Sequence, residues 1–308
     1  MKRKKKKGDP TTALLLLIFL AGLSLLLYPT VSNWWNTFHQ TQVIADYTQS
    51  VSQLDTEKYA SLWADANAYN QALLERGNPY QLPEDLLDQY NTLLDISGTG
   101  IMGYVEIPRI NNSLPIYHGT DEAVLQVAAG HLEWTSLPVG GESTHSVISG
   151  HRGLPSAELL THIDKLEVGD KFYIHVLDQV LEYRVDNIAV VEPDDVSLLA
   201  VTAGQDYMTL VTCTPYGINS HRLLVRGVRT GTADADENAP LPVHNEIEPI
   251  HLMYVIPAAL VLLVVAAAIL TAAKDRRSHK YRGKRAKPEG KRLDGKDGPY
   301  DQTEETTE

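Results

Sequence analysis

The spacing of apolar residues changes character several times along the chain. Residues 11–29, TTALLLLIFLAGLSLLLYP, are apolar almost without interruption. From about Gln40 to Asn70 the apolar residues recur every three to five positions, at Val43, Tyr47, Val51, Leu54, Tyr59, Leu62, Ala66 and Tyr69. That period predicts an amphipathic helix. Gly77 and Pro79 stop it, and PEDLLDQYNTLLD at 83–95 predicts a second, shorter helix. After SGTG the grammar becomes that of strands: GYVEIPRI, SLPIYHG, HSVISGH, DKFYIHVL, QVLEYRVDNIAVVEP, YMTLVTCTP and HRLLVRGVRT. These are β-branched and aromatic runs separated by Gly, Asp, Asn and Pro. Seven or more short strands at this spacing favour a closed barrel or a sandwich over an α/β sheet. Residues 233–249 have linker composition and lead to a second apolar run, LMYVIPAALVLLVVAAAILTAA, at 252–273.

A bilayer core needs roughly 20 apolar residues as a helix. The second run is long enough and the first sits at the lower limit. Both carry positive charge on their outer flanks, MKRKKKK before the first and KDRRSHKYRGKRAKPEGKR after the second. The positive-inside rule therefore predicts two crossings, with both termini cytoplasmic and residues 30–251 outside the cell. A cleavable signal peptide is the rival for the first run; YPTVSNWWN offers no clean small-x-small cleavage site, which favours an uncleaved anchor. Six of the 27 Lys and Arg residues precede residue 8 and eleven follow residue 273, whereas 30 of the 39 acids lie between the two runs. The outer part thus carries about −20. That excludes a nucleic-acid partner, which needs a basic footprint. The basic tail suits anionic lipid at the inner leaflet.

One cysteine in 308 residues forbids an internal disulfide. A lone thiol in an exported chain is either buried and inert or free and reactive. Cys213 ends a predicted strand, TPYGINS makes a turn, and His221 opens the next strand. If the two strands pair symmetrically about that turn, Arg222 faces Cys213, where a guanidinium favours the thiolate and can donate to a developing oxyanion. A one-residue slip would spoil this register. A cysteine nucleophile also needs a proton-transfer partner, usually histidine. His151 is the best placed, where HSVISGH gives way to RGLP, with His131, His145, His162 and His221 as alternatives.

TLVTCTPYGINSHRLLVRG, HSVISGHRGLPSAELLTHIDKLEVGD and GHLEWTSLPVGG together resemble the sortases of Gram-positive bacteria, and class C, the pilus-assembling type, in particular. The likeness covers roughly residues 40–270. It implies a mostly β fold: an eight-stranded barrel over 98–231, helical decoration over 30–97, a linker at 232–250 and flanking transmembrane helices at 11–29 and 251–273. The stretches 1–10 and 274–308 would be the basic cytoplasmic N-terminus and a charged cytoplasmic tail. It makes His151, Cys213 and Arg222 the catalytic set, with Thr212 as a secondary polar contact. The implied chemistry is transpeptidation: cleavage of a Leu-Pro-x-Thr-Gly-like sorting signal and transfer of the acyl group to a pilin lysine. Class C sortases often carry a lid whose Asp-Pro-aromatic triplet covers the thiol. Here the comparable triplet is Asn78, Pro79 and Tyr80, and an asparagine cannot form the ion pair with arginine, so the resemblance implies a shortened or missing lid.

Two rivals stay open on the sequence: a sortase that uses a peptidoglycan-precursor amine, and a non-catalytic binding module with a buried thiol. No cofactor is expected, because there is no Gly-rich phosphate loop between a strand and a helix. No metal is expected either, since the histidines lack zinc-like spacing and the acidic clusters fit turns better than a calcium loop.

Overall fold

The computed structural model describes residues 10–77, 80, 82–234, 261 and 264. The expected second transmembrane run and two members of the expected lid triplet, Asn78 and Pro79, lie outside the described residues.

Helix α1 runs from Pro10 to Ser52 and passes Pro29 without ending. It is, among the described residues, the one helix long and apolar enough to cross a membrane. Chain order continues with α2 (Thr56–Glu75), α3 (Glu84–Tyr90), β1 (Ile101–Ile107), β2 (Asn112–His118), α4 (Glu122–Leu125), β3 (Ala129–His131) and β4 (Thr144–Ser149). It ends with β5 (Lys171–Val176), β6 (Gln179–Val191), β7 (Asp206–Thr214) and β8 (His221–Asp234).

The single amphipathic helix expected over 40–70 is two helices. Asp55 breaks it by capping α2, its carboxylate accepting from the Lys58 amide at 2.8 Å. Such a cap satisfies an otherwise orphaned amide at a helix start. Tyr59 then reaches back to the Val51 carbonyl at 2.5 Å and closes the corner. Apolar periodicity misses the break because Val51 on one side and Ala66 on the other both face the barrel.

The eight strands close into a barrel in the order β1-β2-β3-β4-β7-β8-β6-β5. Two of these pairings are parallel, β2 with β3 and β4 with β7, and the others are antiparallel. The strand that the period-two pattern did not show is β3, only three residues long. Met102, Val105, Ile107, Ile116, Phe172, Ile174, Tyr183, Leu210 and Val225 are buried in the core, to which α2 and α3 add Ala66, Tyr69, Leu73, Leu86 and Tyr90. Burying one such side chain stabilises by about 1.5–3 kcal/mol.

The pairing order matters most at one rim. Because β4 and β7 run parallel, their C-terminal ends leave the barrel on the same side. Because β8 returns antiparallel to β7, its N-terminal end starts there too.

Candidate functional site

β7 is buried from Met208 to Thr212 and emerges at Cys213, which is half-buried. The register pairs Cys213 directly with Arg222 across the β7–β8 ladder, as symmetric pairing about the turn predicts. Side chains of directly opposed residues leave the same face of an antiparallel pair. The connecting turn uses Gly217 at φ 75° and Asn219 at φ 60°, and the Pro215 carbonyl accepts from the Ile218 and Asn219 amides at 3.1 and 3.0 Å. Arg222 is itself half-buried. It donates to the carbonyls of Asn219 and His221 at 3.4 and 3.2 Å and has no acidic partner among the described residues.

His151 arrives from the neighbouring strand. In the β4–β7 register Ser149 stands opposite Val211, and two residues further along each strand brings His151 level with Cys213. Hydrogen bonds on both sides hold this level. Before the pair, the Thr212 hydroxyl donates to the Gly150 carbonyl at 2.7 Å, and the Gly150 amide donates to the Val211 carbonyl at 3.1 Å. After it, Arg152 Nη1 donates to Thr214 Oγ1 at 3.1 Å, while its Nη2 holds Asp164 at 2.5 Å. The residues flanking His151 are thus bonded to those flanking Cys213. Glycine is required at 150, because a Cβ there would lie 2.8 Å from Leu160 Cγ. At Gly153, φ is +79° and the Tyr216 ring lies 3.0 Å from where a Cβ would stand.

The His151 side chain is 29% exposed, with Nε2 3.9 Å from Glu122 Oε2. That distance exceeds a hydrogen bond, and Nε2 has no hydrogen-bond partner. That nitrogen is also shielded from solvent, so His151 holds a buried and unpartnered ring nitrogen beside the thiol strand.

The alternative histidines divide by burial. His131 is fully buried, with Nε2 donating to the Ser136 carbonyl at 2.8 Å and Tyr90 Oη 3.0 Å from Nδ1; desolvation lowers its pKa to about 3. His145 is also buried, with Nδ1 donating to the Ala200 carbonyl at 3.1 Å and Nε2 accepting from Thr209 Oγ1 at 2.7 Å; burial lowers its pKa to about 4. Both are structural groups of the core. His221 neighbours Arg222 but is bridged to Glu192 at 3.2 Å, and His162 heads a 3-10 turn. Tyr80, the described member of the expected lid triplet, is 60% exposed and packs edge-on against Trp134 with ring centroids 5.5 Å apart. Sequence reasoning did not single out Arg152 or Glu122. Arg152 was visible inside SGHRG, whereas nothing in the local sequence ties Glu122 to His151.

A cavity of about 230 Å³ lies elsewhere, lined by Leu73, Leu74, Gly77, Ser136, Ala200 and Val201, and includes none of the three converging residues. The candidate site is an open rim. Among the described residues no group of three His, Cys, Asp or Glu side chains could hold a metal ion.

A closed mixed barrel carries one thiol at its rim, an arginine paired across the ladder and a histidine level with it, which makes this rim the candidate acyl-transfer centre. The family model for the sortase domain matches residues 105–230, and the chain belongs to the sortase family of cysteine transpeptidases. Its structural neighbours are sortases C. Sortase C1 of Streptococcus agalactiae is 48% identical, with 62% of this chain and 98% of that one covered and a TM-score of 0.61. Sortase C of Streptococcus pneumoniae, described in connection with pilin substrate specificity, is 48% identical over 63% of this chain and 99% of that one, with a TM-score of 0.57. Sortase C of Clostridium perfringens, solved with the C-terminal cell wall sorting motif, is 46% identical over 62% and 98%, with a TM-score of 0.55.

Proposed function

We propose that this sortase polymerises pilins on the outer face of the cell membrane of a Gram-positive bacterium. The thiolate of Cys213 attacks the threonine carbonyl of a Leu-Pro-x-Thr-Gly-like signal. Arg222 donates to the tetrahedral oxyanion and holds the substrate in place. As the Thr–Gly C–N bond breaks, His151 gives its proton to the departing glycine nitrogen and a thioester remains on the sulfur. A lysine amine of the next pilin then loses a proton to His151 and attacks the thioester. The isopeptide bond forms and the sulfur leaves as thiolate. Thr212 acts from behind the cysteine by fixing Gly150, and so His151.

The observation that carries this reading is the Cys213–Arg222 ladder pair with His151 held level beside it. The sortase C neighbours whose descriptions mention pilin specificity and a sorting motif support the substrate class. On this reading the chain is a two-pass membrane protein with its barrel outside the cell, anchored by α1 and by the run at 252–273. The test is incubation of the full chain with candidate pilins and inspection for a ladder of covalent oligomers. Cys213→Ala abolishes the ladder while the barrel stays folded by circular dichroism. Normal turnover by that variant would refute the assignment, and transfer only to a peptidoglycan-precursor amine would replace the pilin reading with wall anchoring.

A further inference from the structure

Helix α1 changes its surroundings within one turn. Up to Val31 most of its large apolar side chains are bare, with Leu15, Leu25 and Leu26 at 62%, 78% and 75% exposure, while Leu16, Leu23 and Leu27 are half-buried. From Asn33 onwards one stripe is docked on the barrel domain. Asn33 Oδ1 accepts from the Glu158 amide at 2.8 Å, Asn36 Nδ2 donates to the Ser156 carbonyl at 2.8 Å, and Gln40 Nε2 donates to the Val127 carbonyl at 2.7 Å. Ile44, Tyr47 and Val51 continue the same stripe and are buried. Tyr47 is pinned on both sides, its hydroxyl donating to the Met102 carbonyl at 3.1 Å and accepting from the Leu177 amide at 2.9 Å. Steps of three and four residues keep all six positions on one helix face.

The other face, at the level of those first docking bonds, carries Trp34, Trp35 and Phe38, 46%, 56% and 55% exposed. No linker separates the apolar rod from the docked stalk. Asn33 follows Pro29, the end of the apolar run, by four residues, a rise of about 6 Å along the axis. Residues 10–29 of the same helix supply about 30 Å, the thickness of a hydrocarbon core. Trp side chains immediately beyond such a rod match the chemistry of the lipid headgroup boundary, where amphipathic rings are favoured, and Phe38 adds apolar area beside them.

We propose that α1 is a rigid stalk that seats the barrel directly on the lipid headgroup layer, with segment 154–159 as the underside and Trp34, Trp35 and Phe38 as interfacial anchors. This rests on the reading of α1 as an uncleaved membrane anchor. Ser156 lies five residues after His151, so the two are at most about 17 Å apart even if fully extended. The reacting cleft therefore works close to the membrane surface, at a height set by hydrogen bonds instead of by a flexible tether. A substrate held at the same surface gains effective concentration that a free peptide does not.

The test uses the full chain reconstituted in phosphatidylcholine–phosphatidylglycerol vesicles. Lipids brominated near the headgroup end of the acyl chain should quench tryptophan fluorescence more than lipids brominated near the chain terminus. The Trp34→Phe/Trp35→Phe variant should lose that difference, leaving the signal of Trp63 and Trp134. In a second variant, seven alanines inserted between Thr30 and Val31 add two helical turns, lifting the domain by about 10 Å with little rotation. Cleavage of a vesicle-tethered Leu-Pro-Glu-Thr-Gly peptide should fall roughly tenfold, while cleavage of the same peptide free in solution stays unchanged. Equal quenching by shallow and deep bromines, or an unchanged tethered-to-free ratio after the insertion, overturns the proposal. If the unaltered protein cleaves neither peptide, the transpeptidase reading fails, and the quenching result still decides the stalk.

Discussion

Two histidines six positions apart, on the same strand and its exit, have opposite fates, and so do two arginines four positions apart on β8. His145, in β4, has both ring nitrogens bonded and its charged form suppressed by burial. His151, just past the end of β4, has an Nε2 with no hydrogen-bond partner. Arg226, inside β8, makes a two-pronged bond to Asp186 at 3.1 and 2.8 Å and lies 4.1 Å over the Tyr207 ring. Arg222, at the start of β8, makes its side-chain hydrogen bonds among the described residues to the carbonyls of Asn219 and His221. Within the wall His145 and Arg226 are satisfied, as expected where an unpaired buried group costs about 1–3 kcal/mol, although Ser146 Oγ of β4 has no partner. At the rim His151 Nε2 is unpartnered although shielded from solvent, and Arg222 bonds carbonyls close in the chain through Nη1, so both keep bonding capacity unspent. Reactivity here is a matter of position along the strand, not of residue type.

The sharpest way to break this comparison is to exchange the losses. His151→Ala should lower sorting-peptide cleavage by about 10²–10⁴-fold with little change in thermal stability. His145→Ala should do the reverse: it removes two bonds and costs about 2 kcal/mol of stability, while activity per folded molecule persists. If unfolding curves and cleavage rates show the opposite order, the base lies elsewhere.

The arginines give the next largest contrast. Arg222→Lys keeps the charge but loses the planar fork, and kcat/KM should fall by roughly 10²-fold. Arg226→Lys should leave the rate nearly intact and lower the melting temperature, since its bidentate bond to Asp186 serves the wall. Full activity of the Arg222→Lys variant would mean that charge alone suffices.

Arg152 sharpens the comparison from a third position, because it ties the two rim segments to each other. Arg152→Ala should cut kcat by roughly tenfold with KM little changed, since it frees the His151 segment without touching the peptide. A KM effect of the same size would place Arg152 in substrate binding.

Acid should erode the satisfied region in a definable window. His131 and His145 have folded pKa values depressed to about 3 and about 4 from 6.5, so the unfolded chain binds more protons between those limits. Stability is therefore fully present above pH 6.5 and falls as pH drops, by at most about 1.4 kcal/mol per pH unit for each group. Asp206 works the other way. Burial raises its carboxyl above 3.8, so its contribution grows as pH falls through the folded value and offsets part of the loss at the acid end. Melting temperature against pH should flatten in His145→Gln; an unchanged slope would show that His145 is not the source.

The smallest effect belongs to Tyr80. Its ring rests against Trp134, so Tyr80→Ala should leave the labelling rate of Cys213 by a small sulfhydryl reagent unchanged. Faster labelling would mean that the Tyr80 ring covers the thiol in the folded protein.

Much of this was legible from the residue order. The strand pattern marked seven of the eight strands, because a half-buried strand must alternate and turn residues must punctuate it. The pairing of Cys213 with Arg222 was legible because a short turn at 215–220 leaves little freedom in register. The corner at Asp55 was written as a capping residue but hidden by continuous periodicity on both sides of it. β3 was invisible because three residues carry no period. The fates of His131 and His145 were invisible for another reason: nothing local distinguishes a buried imidazole from a free one when its partners, Tyr90 and Thr209, lie 41 and 64 residues away.

By itself, then, the sequence determined the local facts: where strands and helices run, where an apolar rod begins, and which arginine a hairpin brings to the thiol. These depend on contacts between near neighbours in the chain. Only the tertiary structure decided which histidine stands level with Cys213, since that follows from the parallel pairing of β4 with β7, strands joined through two others and more than fifty residues of chain. It also decided that α1 docks through Asn33, Asn36 and Gln40, because their partners come from loops 87 to 125 residues away. Long-range pairing is settled by the closure of the barrel and the burial it achieves, and no short stretch of sequence contains that information.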